Sequence, residues 1–143
     1  MTTAECIRQR VSCRRFQETP IPREDIRRVV DLARFSPSWK NTQPVRYIVI
    51  DDPALKERMA RECIPGQGFN TKTINRAAAQ TFCLAARDLG IGTCILGIFD
   101  VDAAGRLLEL EGLRPACLIA MGYPEQWKNG PGRKETEELL SFR

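Results

Sequence analysis

Between Arg10 and Phe16 the chain sets three arginines and a hydroxyl in one short run, Arg10-Val11-Ser12-Cys13-Arg14-Arg15-Phe16. Guanidinium groups fork onto phosphate or carboxylate oxygens, and a serine hydroxyl adds a neutral donor. Arg10, Ser12 and Arg14 recur at every second position, so on an extended segment they share one face. Such a face suits an anionic group and its polar tether; a solvated basic strand is the plain alternative. A second cluster follows at Ser36-Pro37-Ser38-Trp39-Lys40-Asn41-Thr42-Gln43-Pro44. Asn41 and Gln43 beside a proline are ordinary turn formers. Trp39 in a polar loop is less ordinary, and points to an interface or a stacked ligand. Near the other end, Arg133-Lys134 offers a further pair of cations.

The chain contains no histidine. That absence removes Ser-His-Asp and Cys-His catalysis, histidine-ligated zinc and the H-E-x-x-H motif. An enzyme of this composition would leave the reaction to a cofactor, and a flavin fits that requirement. With the phosphate-suited arginines and the small, amide-rich loop, the sequence points to bound flavin mononucleotide (FMN).

These clusters need elements to position them. Residues 3–10 read as a short helix leading into the Arg/Ser run. Pro22, followed by Glu24 and Asp25, opens a helix to about Arg34 with Ile26, Val29, Val30 and Ala33 on one face. Ser36-Pro37 stops it. Val45–Ile50 has strand composition; Asp51-Asp52-Pro53 turns into a charged helix, about 53–62; the Pro- and Gly-containing stretch 64–73 reads as a loop. Ile74 to Leu89 is an alanine-rich helix with a broad apolar face, capped by Gly90. Thr93–Phe99 is a buried strand interrupted by Gly97, and glycine inside a strand suggests a bulge or a close approach to a ligand. Asp100 caps a helix over about 101–110, ended by Gly112. Ala116–Met121 is a continuous apolar run, hence a central strand. The tail is polar, with a short helix at 134–141.

With 143 residues the chain is expected to form one domain, long enough to bury a core without staples. Its net charge of +4 is mild, although positions 1–28 hold seven arginines and no lysine. The six cysteines form no C-x-x-C pair, and three lie in apolar runs, which suggests a reduced, cytoplasmic protein without a disulfide or zinc framework. No apolar run approaches the ~20 residues needed to span a bilayer, and no signal peptide is visible. Gly90-x-Gly92 is not a dinucleotide fingerprint: position 95 is isoleucine, and the order is helix, glycines, strand. A helix cap entering a strand accounts for both glycines.

In order along the chain, these segments resemble the FMN-dependent nitroreductase family. The resemblance rests on Arg-x-Ser-x-Arg-x-Phe at 10–16, Ser36-Pro37-Ser38-x-x-Asn41-x-Gln43-Pro44 leading into 45–50, and Asp52-Pro53. It continues with Ala77-Ala78-Ala79-Gln80, Leu84-Ala85-Ala86, Leu89-Gly90-Ile91-Gly92-Thr93-Cys94, Ala120-Met121-Gly122-Tyr123-Pro124 and Arg133-Lys134. It implies an α+β fold, a three-layer α/β/α sandwich with a mainly antiparallel central sheet, forming a homodimer with FMN at the interface. It further implies that Arg10 and Arg133 hold the phosphate, with Val11 and Ser12 beside the phosphate and ribityl tether. Arg14 would lie near flavin N1 and O2. Pro37, Ser38, Trp39 and Asn41 would reach the flavin of the other subunit. The backbone at Leu96 and Gly97 would approach N5 and O4, and Asn70 the pyrimidine edge. No protein side chain acts as acid or base, and no metal is called for. The implied activity passes hydride or electrons from NAD(P)H through FMN to a small organic acceptor such as a nitroaromatic, a quinone or a flavin.

The sequence departs from the family between Thr71 and Asn75. Relatives carry a strand and its connections there, on the order of 20–30 residues, whereas this chain runs from loop straight into helix. Either the member is trimmed or a segment is omitted. A trimmed member would make 45–50 and 116–121 neighbours, and parallel. Trimming would spare most flavin contacts but alter substrate selection, so a non-catalytic FMN-binding or partner-binding protein is the alternative to an enzyme. A nucleic-acid binder is disfavoured, because the arginines form no long patch interleaved with aromatics.

Overall fold

The computed structural model describes residues 1–64, 77–130 and 132–141. Local signals in the sequence set most element ends. Helix α1 (Thr3–Gln9) begins in a capping box: the Thr2 side chain accepts from the Glu5 N–H at 3.3 Å, and the Glu5 carboxylate accepts from the Thr2 N–H at 2.7 Å. Helix α2 (Arg23–Ala33) follows Pro22, carries Glu24 and Asp25 in its first turn, and buries Val29 and Ala33. A single 3-10 turn spans Trp39–Asn41. Helix α3 (Pro53–Cys63) is capped by Asp52, which accepts from the Leu55 N–H at 2.7 Å. Helix α4 (Ala77–Asp88) ends before Gly90, whose φ of +74° is the left-handed conformation that favours glycine. Strand β1 (Gly92–Leu96) comes next, then α5 (Val101–Leu107), with Asp100 accepting from the N–H groups of Asp102 and Ala103. Strand β2 (Leu118–Gly122) and the short helix α6 (Thr136–Leu139) complete the described elements.

Strands β1 and β2 pair antiparallel, with Gly92 opposite Gly122 and Leu96 opposite Leu118. Side chains alternate between sheet faces, and the two faces meet different helices. Ile119 and Met121 pack with Ile91 against Val29 and Ala33 of α2 and Phe82, Ala85 and Ala86 of α4. Leu118 instead joins Met59 and Cys63 of α3 and Ala104 of α5. Helices therefore cover both faces of the sheet, the three-layer α+β arrangement expected from the sequence. The small side chains of α4 let it lie close to both α2 and β1.

Residues 45–50 differ from expectation. They belong to neither strand, and the expected parallel pairing with 116–121 is not formed; β2 pairs with β1. Tyr47 stacks on Phe82 with ring centroids 5.5 Å apart, and Ile50 joins the cluster around Met59 and Cys63. Val45, Ile48 and Val49 stay about half exposed. Apolar side chains find partners here while the backbone has no ladder. Composition specified burial of one side of the segment, but a strand also requires a hydrogen-bonding neighbour at the right spacing. The strands are otherwise shorter than expected, Gly92–Leu96 against 93–99 and Leu118–Gly122 against 116–121.

The Tyr47 hydroxyl is buried and has no hydrogen-bond partner among the described residues, and burial pushes its pKa up. Tyr47→Phe should therefore keep the ring stack and leave thermal stability unchanged or slightly higher, since an unpaired buried hydroxyl costs about 1–3 kcal/mol. A clear loss in a thermal melt would show that the hydroxyl has a partner.

Candidate functional site

The Arg10–Phe16 run is fixed to the sheet by backbone and packing. Arg10 caps α1, its N–H donating to the Cys6 carbonyl at 2.9 Å. Ser12 then bridges to Thr93 of β1, and the Cys13 N–H donates to the Thr93 carbonyl at 2.9 Å. The chain crosses the end of the sheet and bridges again, Phe16 to Pro124, with the Gln17 N–H donating to the Tyr123 carbonyl at 2.8 Å. Two glycines permit this crossing. A β-carbon at Gly92 would lie 2.8 Å from Cβ of Cys13 and 2.8 Å from Cγ of Pro124; one at Gly122 would lie 2.8–2.9 Å from Phe16. Gly92 therefore does more than carry the chain from helix to strand, which is the role its position in the sequence suggests.

With Cys13 turned inward and buried, Ser12 and Arg14 are exposed and Arg10 is half-buried. The alternation expected from the spacing is present. Behind the run, Cys83 of α4 is hydrogen-bonded to Thr93; burial pushes its thiol pKa up, and the Thr93 bond and the nearby Arg10 charge only partly offset this. It is a packing residue beneath the basic run rather than a reactive thiol.

The polar tail returns to the same place. A β-carbon at Gly130 would sit 3.1 Å from Cγ1 of Val11, so the backbone at 130 lies directly against the basic run. Arg133 follows three residues later and is exposed. Three residues span at most about 10 Å, so Arg133 is no more than that length of chain from the contact at Val11. Leu96 ends β1 and Gly97 follows it, three and four residue steps from Thr93, or about 10–13 Å of strand. Arg10, Val11, Ser12 and Arg14 thus border one end of β1, and Leu96 and Gly97 the other.

No hydrogen bond joins the second cluster to these among the described residues. Pro37, Ser38, Trp39 and Asn41 lie on an exposed loop whose hydrogen bonds are local. The Ser38 hydroxyl accepts from the Gln43 N–H at 3.0 Å, and Asn41 Oδ1 accepts from Gln43 Nε2 at 3.2 Å. Lys40, Asn41 and Gln43 all have positive φ, 50°, 53° and 45°. Non-glycine residues in that region are strained, and strain of this kind concentrates at ligand and switch sites. Trp39 is 77% exposed and Phe35, at the end of α2, 73%. Asn70 lies outside the described residues. A cleft of about 640 Å³ is lined by α5 and residues 109–115, including Asp102, Arg106 and Arg114, and by none of the predicted site residues. Sequence reasoning missed Gly92, Gly122 and Gly130 as contact points. It also passed over Trp127, an aromatic in an otherwise polar tail.

The donor set around Arg10 suits a phosphate-bearing cofactor. It has cations and a hydroxyl on one side of an anchored strand, and no cluster of His, Cys, Asp or Glu among the described residues could hold a metal ion. Among the described residues no helix is long and apolar enough to cross a membrane. With this fold and this site, the sequence profile of the nitroreductase family matches residues 7–70 and 76–123, and the chain belongs to that family. The match is interrupted at 71–75, the stretch at which the sequence departs from the family pattern.

Relatives agree with the assignment. A Methanothermobacter thermautotrophicus protein provisionally named NADH dehydrogenase/NAD(P)H nitroreductase is 26% identical over 163 aligned residues, covering 94% of this chain and 82% of the relative. A Desulfovibrio desulfuricans protein, crystallised in complex with FMN and provisionally named a nitroreductase, superposes with a TM-score of 0.74. Its identity is 28%, over 99% of this chain and 96% of that one. A Parabacteroides distasonis structure of the provisional NADH dehydrogenase/NAD(P)H nitroreductase type reaches a TM-score of 0.83 at 22% identity, over 97% and 96%, and supports the fold.

Proposed function

We propose that the protein is a flavoprotein oxidoreductase, built as a single nitroreductase-like domain, that binds FMN and uses NAD(P)H to reduce a small organic acceptor. The observation that supports this reading is the approach of Gly130 to Val11, which seats the tail against the run that includes Arg10. Arg10 and Arg133 would hold the FMN phosphate by charge-assisted hydrogen bonds, with Ser12 donating and Val11 packing beside them. Arg14, exposed on the same run, would supply a cation for the negative charge that accompanies electron uptake. The backbone of Leu96 and Gly97 would orient the ring from the far end of β1. When bound, FMN supplies the centre that accepts a hydride equivalent from a nicotinamide and passes electrons to a nitroaromatic, a quinone or another flavin.

A homodimer completes this reading. Leu32, Phe35 and Trp39 form exposed apolar surface at the end of α2 and the loop beyond it, the kind of surface that a second copy would cover. Pro37, Ser38, Trp39 and Asn41 would then reach the partner's flavin, and the exposure of Pro37, Trp39 and Asn41 leaves the loop available to do so. The free, mostly buried thiols are compatible with the reducing cytoplasm.

The test is spectroscopic. Purified protein should bind FMN, show the yellow flavin absorbance, and bleach anaerobically on addition of NADH or NADPH. Yellow protein that does not bleach would support the non-catalytic flavin-binding alternative, and protein that takes up no added FMN would end both readings. Arg10→Ala should weaken FMN binding by about 10- to 100-fold, the loss of a charged hydrogen bond. Unchanged affinity in a fluorescence titration would remove Arg10 from the phosphate site.

A further inference from the structure

Arg87, in the last turn of α4, joins two segments distant in sequence. Its guanidinium Cζ lies 3.6 Å from the centroid of the Trp127 ring, and its Nη2 donates to Oε1 of Gln9 at 2.9 Å. Its Nε is buried, with no hydrogen-bond partner among the described residues. A desolvated guanidinium nitrogen is costly unless another interaction offsets it, and the indole face does so here. Trp127 is 37% exposed, while the residues around it in 125–130 face solvent. The same stretch of tail meets the basic run again at Gly130 and Val11. Residues 127–130 therefore lie alongside 9–11, held at one point through Arg87 and at the other by direct packing. In sequence Arg10 falls between the two contacts, and Arg133 follows the second by three residues.

We infer that Arg87 and Trp127 are positioning residues for the cofactor phosphate: their stack holds the tail so that Arg133 faces Arg10 across one anion. The inference rests on the FMN reading and adds to it residues that touch no part of the ligand. Trp127 acts through Arg133, so its contribution is specific to the phosphate and disappears when Arg133 is removed.

Apoprotein of the full chain is titrated with FMN and, separately, with riboflavin, which lacks the phosphate. Trp127→Ala should weaken FMN binding by about 3- to 30-fold, the range of a partly desolvated cation–π contact. Riboflavin affinity should change less than about two-fold, within ordinary non-additivity of distant sites. Trp127→Phe, which keeps an aromatic face, should recover most of the loss. In an Arg133→Ala background, Trp127→Ala should add nothing. Should Trp127→Ala fail to fold, Arg87→Gln removes the cation from the same stack and carries the FMN, riboflavin and Arg133→Ala-background titrations. Equal weakening of FMN and riboflavin, or a full effect without Arg133, would overturn the positioning role while leaving the FMN reading standing. If Arg133→Ala itself leaves the preference for FMN over riboflavin intact, the phosphate role of Arg133 fails, and this inference with it.

Discussion

Phe82→Ala is expected to be the most damaging single substitution in the described core, costing about 3–5 kcal/mol. Phe82 is 5% exposed and lies at the meeting of α2, α4 and the sheet, among Val29, Ala33, Ala86 and Ile91. Its ring also supports Tyr47, the inward-facing residue of a segment that has no backbone ladder to hold it. Truncation leaves a cavity in the cluster that includes Ala33, Ala85 and Ala86, which have no side-chain length with which to close it. In a chain of this size the melting temperature should fall on the order of 10 °C. Urea denaturation gives the free energy directly, and a cost below about 1 kcal/mol, the typical effect of any point mutation, would show that the α2–α4 layer is not the main core. Both measurements belong on apoprotein, because bound ligand raises apparent stability by mass action.

Gly122→Ala and Gly92→Ala should damage stability less and cofactor binding more. The added methyl group at 122 meets the Phe16 ring and Cβ at 2.8–2.9 Å; at 92 it meets backbone-proximal atoms of Cys13 and the Pro124 ring at 2.8 Å. None of these is the free end of a flexible side chain, so the crossing segment must move. Overpacking of this kind costs about 1–3 kcal/mol. The displaced segment carries Ser12 and Arg14 and follows directly from Arg10, so FMN affinity should fall by at least about ten-fold, the scale set by losing one charged hydrogen bond. FMN titration and a melt on the same sample separate the two effects. Wild-type affinity in both variants would mean that the basic run does not depend on its seat against the sheet.

The legible parts of the fold were those written in local chemistry. Pro22 with Glu24 and Asp25, Asp52 before Pro53, Asp100 and Gly90 each act within a few residues of themselves, and helices begin and end where they direct. Periodicity identified Val29 and Ala33 as the buried face of α2. Val45–Ile50 was misread because its composition describes side-chain burial, while strand formation depends on a partner that no local pattern encodes. The glycines were partly misread for a related reason. Gly97 attracted notice by interrupting an apolar run, whereas Gly92 and Gly122 seemed to be ordinary strand ends. Their need for a bare α-carbon comes from Cys13, Phe16 and Pro124, of which only Pro124 is near in sequence to either. Of the candidate site, the alternation at Arg10, Ser12 and Arg14 was readable because two-residue spacing maps onto an extended face. The placement of the tail was not readable from spacing at all, since it depends on Arg87 and Trp127 meeting across forty residues of chain.

Because Gly130 abuts Val11, the grip on an anionic ligand would join stretches made at very different moments of synthesis. At about 5–20 residues per second, several seconds separate emergence of the first guanidinium from emergence of the last. During that interval the growing polypeptide already displays its basic run but lacks the opposing half of the clasp. Flavin capture would then be a late event, following synthesis of Arg133 rather than guiding early collapse of the polypeptide.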